Sequence, residues 1–257
     1  MAKVLACVIA AIGMLVHSWP AVAMVGGAPQ AAPAIARHVV LIVGSRGTSC
    51  TGVAIARDLV LTAAHCLLPG ADYKLVRFDP GGVPVLLDTL EIARHPQFDL
   101  KTLHAHRATA DVALLKLAAP LPGRFVPALL AVRPHSIAVG DRFVVAGYGV
   151  AVRGDGRTGG TVRAAMLVAT GRPGSLQLRL VDPETKGERA GLGACTGDSG
   201  APVFSPADGV PAVIGIVSWA TGAKLAAGCG GLTGVTPLAR YQGWVAKQAR
   251  RMGSPVR

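Results

Sequence analysis

Two short stretches constrain this chain more than any others: Gly197-Asp198-Ser199-Gly200-Ala201-Pro202 and Thr62-Ala63-Ala64-His65-Cys66. A serine between two glycines can sit on a tight turn with its hydroxyl exposed. Neighbouring backbone N–H groups can then point at a developing oxyanion. That hydroxyl is a poor nucleophile at neutral pH and needs an adjacent base, usually histidine, itself oriented by a carboxylate. His65 is the candidate base, and Asp111, in Ala110-Asp111-Val112-Ala113-Leu114-Leu115-Lys116-Leu117, is the candidate orienter. Asp99 is the next aspartate in line. His38, His95, His104, His106 and His135 do not stand beside a cysteine in a strand-to-turn motif. His95 reads as an exposed His-Pro turn, and His104 and His106 as a solvated loop.

Between these motifs, short apolar and β-branched runs alternate with Gly/Pro/Asp turn signals. The pattern predicts strands at His38–Val43, Val53–Ala56, Leu59–Thr62, Val83–Leu87, Val112–Leu117, Phe143–Ala146, Thr161–Val168, Leu176–Val181, Ala212–Ser218 and Gly234–Thr236. Regular short strands with such punctuation read as an all-β barrel or sandwich. Ala63–Leu67 predicts one helical turn. Ala239–Met252 predicts the one sizeable helix, with Tyr241, Trp244 and Val245 on one face and Arg250 and Arg251 in the last turn. Pro120, Pro122, Pro127 and Pro134 mark a crossover, with a boundary expected near residue 132.

Residues 1–23 read as a secretory signal: Lys3, an apolar run from Val4 to Val16, then the small-x-small site Ala21-Val22-Ala23. That run is too short for a bilayer span, which needs about 20 residues. Cys50, Cys66, Cys195 and Cys229 remain after the leader, an even set that suggests disulfides in an exported protein and leaves their pairing open. The formal charge of +12 reads mainly as a solvated basic surface. No basic run or zinc spacing supports nucleic-acid binding. The chain contains no asparagine and so no N-glycosylation site.

The ordered set resembles the secreted trypsin/chymotrypsin-like serine proteases, whose chain order His, Asp, Ser differs from that of subtilisins and α/β-hydrolases. The resemblance covers nearly the whole chain beyond the leader. It rests on Met24-Val25-Gly26-Gly27, Leu61 through Cys66, Asp111 through Leu117, Ala146-Gly147-Tyr148-Gly149, Cys195 through Pro202 and Gly215-Ile216-Val217-Ser218-Trp219. It implies an all-β fold of two packed six-stranded antiparallel β-barrels with a C-terminal helix. Residues 24–132 would carry His65 and Asp111, and residues 133–257 would carry Ser199, with the active site in the cleft between them.

The resemblance further implies a serine endopeptidase working through an acyl-enzyme on Ser199, with no metal or organic cofactor. Gly197 and Ser199 would supply the oxyanion hole. Cys50–Cys66 and Cys195–Cys229 would be the disulfides, and Ser218 would support the aspartate. Asp198 would pair with the α-amine of Met24, released directly by cleavage after Ala23. Gly193 stands where trypsin-like members carry the acidic pocket floor, followed by Ala194, and Ala220 replaces a wall glycine beside Ser218 and Trp219. These changes predict a narrowed, uncharged pocket that prefers small or medium uncharged residues. Protein or peptide substrates, a monomer, no membrane span and a secreted or periplasmic setting of bacterial source complete the expectation. A catalytically inactive binding module and an esterase using the same triad are the alternatives.

Overall fold

A computed structural model of the chain describes residues 24–105, 107–131, 137–171, 176–205 and 211–256. The leader, the boundary expected at residue 132, His106 and His135 lie outside the described residues. Six strands form a closed first barrel: β1 (Val39–Gly44), β2 (Ser49–Ala56), β3 (Leu59–Thr62), β4 (Tyr73–Phe78), β5 (Pro84–Arg94) and β6 (Ala113–Leu117), in the order β1-β2-β3-β6-β5-β4. The second sheet contains β7 (Leu129–Leu130), β8 (Arg142–Gly147), β9 (Arg163–Gly171), β10 (Leu178–Val181), β11 (Pro202–Ser205), β12 (Ala212–Ala220) and β13 (Thr233–Pro237). Its order β11-β8-β9-β10-β13-β12 closes through the β11–β12 pairing, and β7 adds in parallel to β12. Among the described residues three α-helices complete the fold: α1 (Pro33–Ala36), α2 (Leu100–His104) and α3 (Gln242–Arg251).

The reason β1 reads as an unbroken apolar run is that both its faces are buried. Val40 and Ile42 join the first barrel's interior with Ala54, Val60, Leu75 and Leu115. Val39 and Leu41 face the other way, into a cluster shared with Phe204, Val213 and Ile216 of the second barrel. Each fully buried side chain of this kind contributes about 1.5–3 kcal/mol. The second barrel has its own interior, built on Phe143, Val145, Leu167, Leu178, Val203 and Val235.

The two ends of the described chain pack on opposite barrels. Met24 and Ala28 sit in the interior cluster of the second barrel, and Val25 and Gln30 form bridges to Gly193 and Arg163. Helix α3 returns to the first barrel, where Val245 and Ala249 pack with Leu114. Arg251 pairs with Glu91, and Ser254 Oγ meets the Asp58 carboxylate.

Three strands, β4, β7 and β11, have no counterpart in the sequence expectation, and β2 and β5 run longer than expected. β4 was not expected at all: Lys74 and Arg77 interrupt its apolar pattern. β5 runs well past Leu87, an extent the pattern hides because Leu86, Leu90 and Ile92 stand on its exposed face. His95, expected in an exposed turn, is half-buried, its ring 5.0 Å from those of both Tyr241 and Trp244. Burial holds its imidazole below the usual histidine range. Among the described residues no helix is long and apolar enough to cross a membrane.

Candidate active site

Strands β3 and β6 are antiparallel neighbours, with Thr62 opposite Ala113. The residues just after β3 and just before β6 therefore lie at the same end of the barrel. His65 sits on the 3-10 turn Ala64–Leu67 that follows β3, and Asp111 lies two residues before the start of β6. The His65 ring donates from Nδ1 to Asp111 Oδ2 at 2.8 Å, because an ionised carboxylate can only accept. The backbone N–H of His65 donates to Oδ1 at 3.0 Å. Ser218 Oγ, on β12 of the second barrel, donates to Oδ2 at 2.5 Å. Asp111 is fully buried, and these three donors satisfy both its oxygens. With its proton on Nδ1, His65 keeps the Nε2 lone pair for a proton. Asp99, the other aspartate considered, instead caps α2, accepting from the backbone of Lys101 and the hydroxyl of Thr102.

Ser199 arrives on the loop before β11, and two contacts from β2 dock that loop on the first barrel. The Thr51 N–H donates to Ser199 O at 2.8 Å, and Thr51 Oγ1 donates to Gly197 O at 2.8 Å. Two glycines make the approach possible. Gly197 has φ +94°, a left-handed conformation that disfavours side chains. A Cβ on Gly200 would lie 2.1 Å from Thr62 Oγ1 and 2.2 Å from Thr51 O. The Cys66 sulfur lies 3.9 Å from His65 Nε2 and 3.7 Å from Ser199 O, so base and nucleophile loop meet around one atom.

Cys50–Cys66 and Cys195–Cys229 are disulfides. The first ties β2 to the histidine turn. Cys50, His65 and Cys66 are close enough to suggest a metal site, but both sulfurs are already bonded to each other.

Asp198 is fully buried, and among the described residues its two oxygens accept only the backbone N–H groups of Gly149 and Cys195, each at 2.9 Å. Burial pushes its carboxyl up to about 7, while those two N–H groups pull the other way. Met24 is also fully buried and has φ +48°.

Gly193 packs tightly: a Cβ there would lie 3.0 Å from Gly230 Cα. The Ala194 N–H donates to Thr233 Oγ1 at 3.1 Å, and Thr233 pairs with Ala220 across β12 and β13. Gly193, Ala194, Ala220 and Thr233 are thus linked into one wall. The nearby buried carboxylate of Asp182 accepts from the Glu184 and Leu192 N–H groups, each at 2.9 Å. Next to His65, a cavity of about 410 Å³ is lined by Leu68, Leu100, Leu103, His104, Ser218 and Trp219. The sequence reading missed Thr51, Leu100 and Leu103, and assigned His104 to a solvated loop. The signal for this segment was His104 and His106 just before the aspartate motif, in the loop that flanks the cleft in the resembled family.

A family model described as Trypsin matches residues 24–245. Serine protease 56 of Homo sapiens is 32% identical over 222 residues, 77% of this chain and 34% of that protein. Vitellin-degrading protease of Bombyx mori is 31% identical over 189 residues, 68% of this chain and 67% of that protein. The chain therefore spans about a third of the first relative and about two thirds of the second.

Proposed function

The chain belongs to the trypsin family of serine proteases, and from that premise we propose that it is a secreted endopeptidase using Ser199, His65 and Asp111. The observation that carries the reading is the fully satisfied Asp111 carboxylate, which holds His65 in the tautomer a general base requires. In this mechanism His65 Nε2 takes the Ser199 hydroxyl proton as Oγ attacks the peptide carbonyl carbon. The carbonyl π electrons move to oxygen, and the backbone N–H groups of Gly197 and Ser199 receive the oxyanion. Collapse of the tetrahedral species breaks the C–N bond, and the imidazolium returns the proton to the leaving amine. Water then repeats the sequence on the acyl-enzyme, releasing the acid and restoring Ser199. The same triad would also turn over esters. A recognition module without catalysis fits less well, since nothing in the triad is missing.

The pocket reading is that small or medium uncharged residues are preferred before the scissile bond. It is supported by the close packing at Gly193 and by the Asp182 carboxylate being committed to the backbone. The Met24 amine, freed by leader cleavage after Ala23, would pair with Asp198. The left-handed φ of Met24 supports this, because that torsion ceases to exist once the preceding bond is cut. Residues 24–132 and 133–257 would act as the two halves around the cleft, and two disulfides support an oxidising compartment. The relatives from Homo sapiens and Bombyx mori give no support to the bacterial source expected from sequence.

Fluorophosphonate labelling together with peptide-library profiling tests the proposal. Labelling should require Ser199 and a folded site. Cleavage should favour Ala, Val or Leu over Arg and Lys, and Ala220→Gly should shift the preference to larger residues. Absence of labelling on a processed, folded chain overturns the catalytic reading. Labelling with a strong preference for Arg overturns only the pocket reading.

A further inference from the structure

A second concave site contains none of the proposed catalytic, oxyanion-hole, specificity-pocket or disulfide residues. A cavity of about 380 Å³ is lined by Gln30, Arg37, Phe78, Arg124, Phe125 and Tyr148, among others, and by no Asp or Glu. Arg37 is the residue that ends α1, and Arg124 stacks over the Phe125 ring at 4.7 Å. Among the described residues, neither guanidinium has a carboxylate partner.

The segments that carry the two arginines are fastened together. The Val126 N–H donates to Arg37 O at 3.0 Å. His38 Nδ1 lies 2.6 Å from Val126 O. A carbonyl only accepts, so the His38 proton sits on Nδ1 and Nε2 keeps its lone pair. Arg37 Nε lies 3.4 Å from that lone pair, which leaves the outer N–H groups of the guanidinium without a protein partner among the described residues. Two cationic forks and three aromatic rings therefore converge on one hollow with nothing acidic in it.

We propose that this cavity binds an aromatic ring bearing a carboxylate, the chemistry of a C-terminal Phe or Tyr of a peptide. The ring packs among Phe78, Phe125 and Tyr148 in offset or edge-on contact. The carboxylate accepts paired N–H bonds from Arg37 or Arg124, the geometry a planar guanidinium suits best. The chain's own leader is not the occupant, because cleavage after Ala23 would put its terminal carboxylate on an alanine rather than on an aromatic residue. The +12 formal charge favours the approach of an anion.

The test titrates N-acetyl-phenylalaninate, phenylacetate and their neutral amides into the full processed chain, followed by NMR. Both acids should saturate the site, and each amide should bind at least about tenfold more weakly. Both arginines are exposed, so Arg37→Gln with Arg124→Gln should fold normally. That double variant should lose at least about tenfold in affinity for the acids while peptide hydrolysis stays unchanged. Tighter binding of N-acetyl-phenylalaninate marks a peptide terminus as the source, and tighter binding of phenylacetate marks a free aromatic acid. Equal affinity for acid and amide, undiminished binding by the double variant, or no saturation by either acid at millimolar concentration overturns the proposal.

Discussion

Asp111 lies in the first barrel and Asp198 in the second, both fully buried, and their surroundings could hardly differ more. Asp111 receives an imidazole N–H, a hydroxyl and a backbone N–H. Asp198 receives two backbone N–H groups and, among the described residues, has no cation or hydroxyl. Burial drives the Asp198 carboxyl up to about 7. A buried charge is tolerated only when paired and hydrogen-bonded. The first carboxylate has its partners within the folded chain. The second has a cradle without a counter-charge, which fits a cation that arrives only when a new amine is made at Met24.

The largest effect should come from breaking the complete site. Asp111→Asn keeps the shape but leaves His65 in the wrong tautomer, so kcat should fall by about 10⁴, as in the well-known protease example. Single-turnover kinetics on peptide and ester substrates would check this. A loss of only a few-fold would mean that the three donors around Asp111 have little to do with turnover.

Asp198→Asn should act through a different route. In the processed chain it strips the amine of its partner, a loss typically worth about 3–5 kcal/mol. Activity should fall by about 10²–10³ through a disordered oxyanion loop, while fluorophosphonate labelling slows rather than disappears. A chain with a non-cleavable extension before Met24 sharpens the contrast. There the folded carboxyl titrates near 7 and the unfolded one near 3.8. Between these values the folded state binds more protons, so stability is greatest at low pH and falls as pH rises towards 7. Asp198→Asn should abolish that slope. In the processed chain the ammonium favours the charged carboxylate, so the slope should vanish there too. The amine pKa then lies above its ordinary value near 8, and the stabilisation is lost as pH rises through it. Urea unfolding at several pH values separates the two forms, and identical profiles would refute a role for the Met24 amine.

The same comparison marks what was legible in the sequence. His65, Asp111 and Ser199 sit in contiguous motifs whose neighbours are dictated by local geometry: a turn after a strand, a position before a strand, a glycine-flanked loop. The partners of Asp198 are backbone N–H groups of Gly149 and Cys195, and no side chain announces a backbone donor. Thr51 was missed for the same reason. Its role is set by two barrels meeting, and a lone threonine in a strand carries no such mark. β5 was read too short because its outward face carries Leu86, Leu90 and Ile92, which erases the polar alternation expected of a half-exposed strand. His95 was read as exposed because the rings covering it, Tyr241 just before α3 and Trp244 within it, come from far along the chain.

A smaller effect should separate the donors on Asp111 from one another. Ser218→Ala removes the 2.5 Å hydroxyl contact and leaves His65 bonded twice. Hydrogen bonds to charged groups are worth about 1.5–3 kcal/mol, so kcat should fall by about tenfold to a hundredfold with KM for esters nearly unchanged. The pH profile of kcat should shift as well, because the carboxylate loses a donor that stabilises its charge. A change confined to KM would assign Ser218 to substrate binding alone.

The smallest effect should come from Tyr241, which neighbours the Asp111 charge without joining its hydrogen bonds. Burial pushes the Tyr241 hydroxyl upwards, the Asp111 charge adding to it against the pull of Arg240, so it stays neutral. The hydroxyl is buried and has no hydrogen-bond partner among the described residues. An unsatisfied buried hydroxyl costs about 1–3 kcal/mol, whereas the ring itself packs edge-on against His95. Tyr241→Phe keeps the ring and removes the cost. Its Tm should be equal or higher, and its kcat should match the parent. This sets the contrast with Ser218→Ala, in which a hydroxyl of similar burial near the same carboxylate is bonded to it. If Tyr241→Phe lowered kcat as much as Ser218→Ala, the Tyr241 hydroxyl would have to reach Asp111 through an ordered water. The first-barrel carboxylate would then have four donors instead of three.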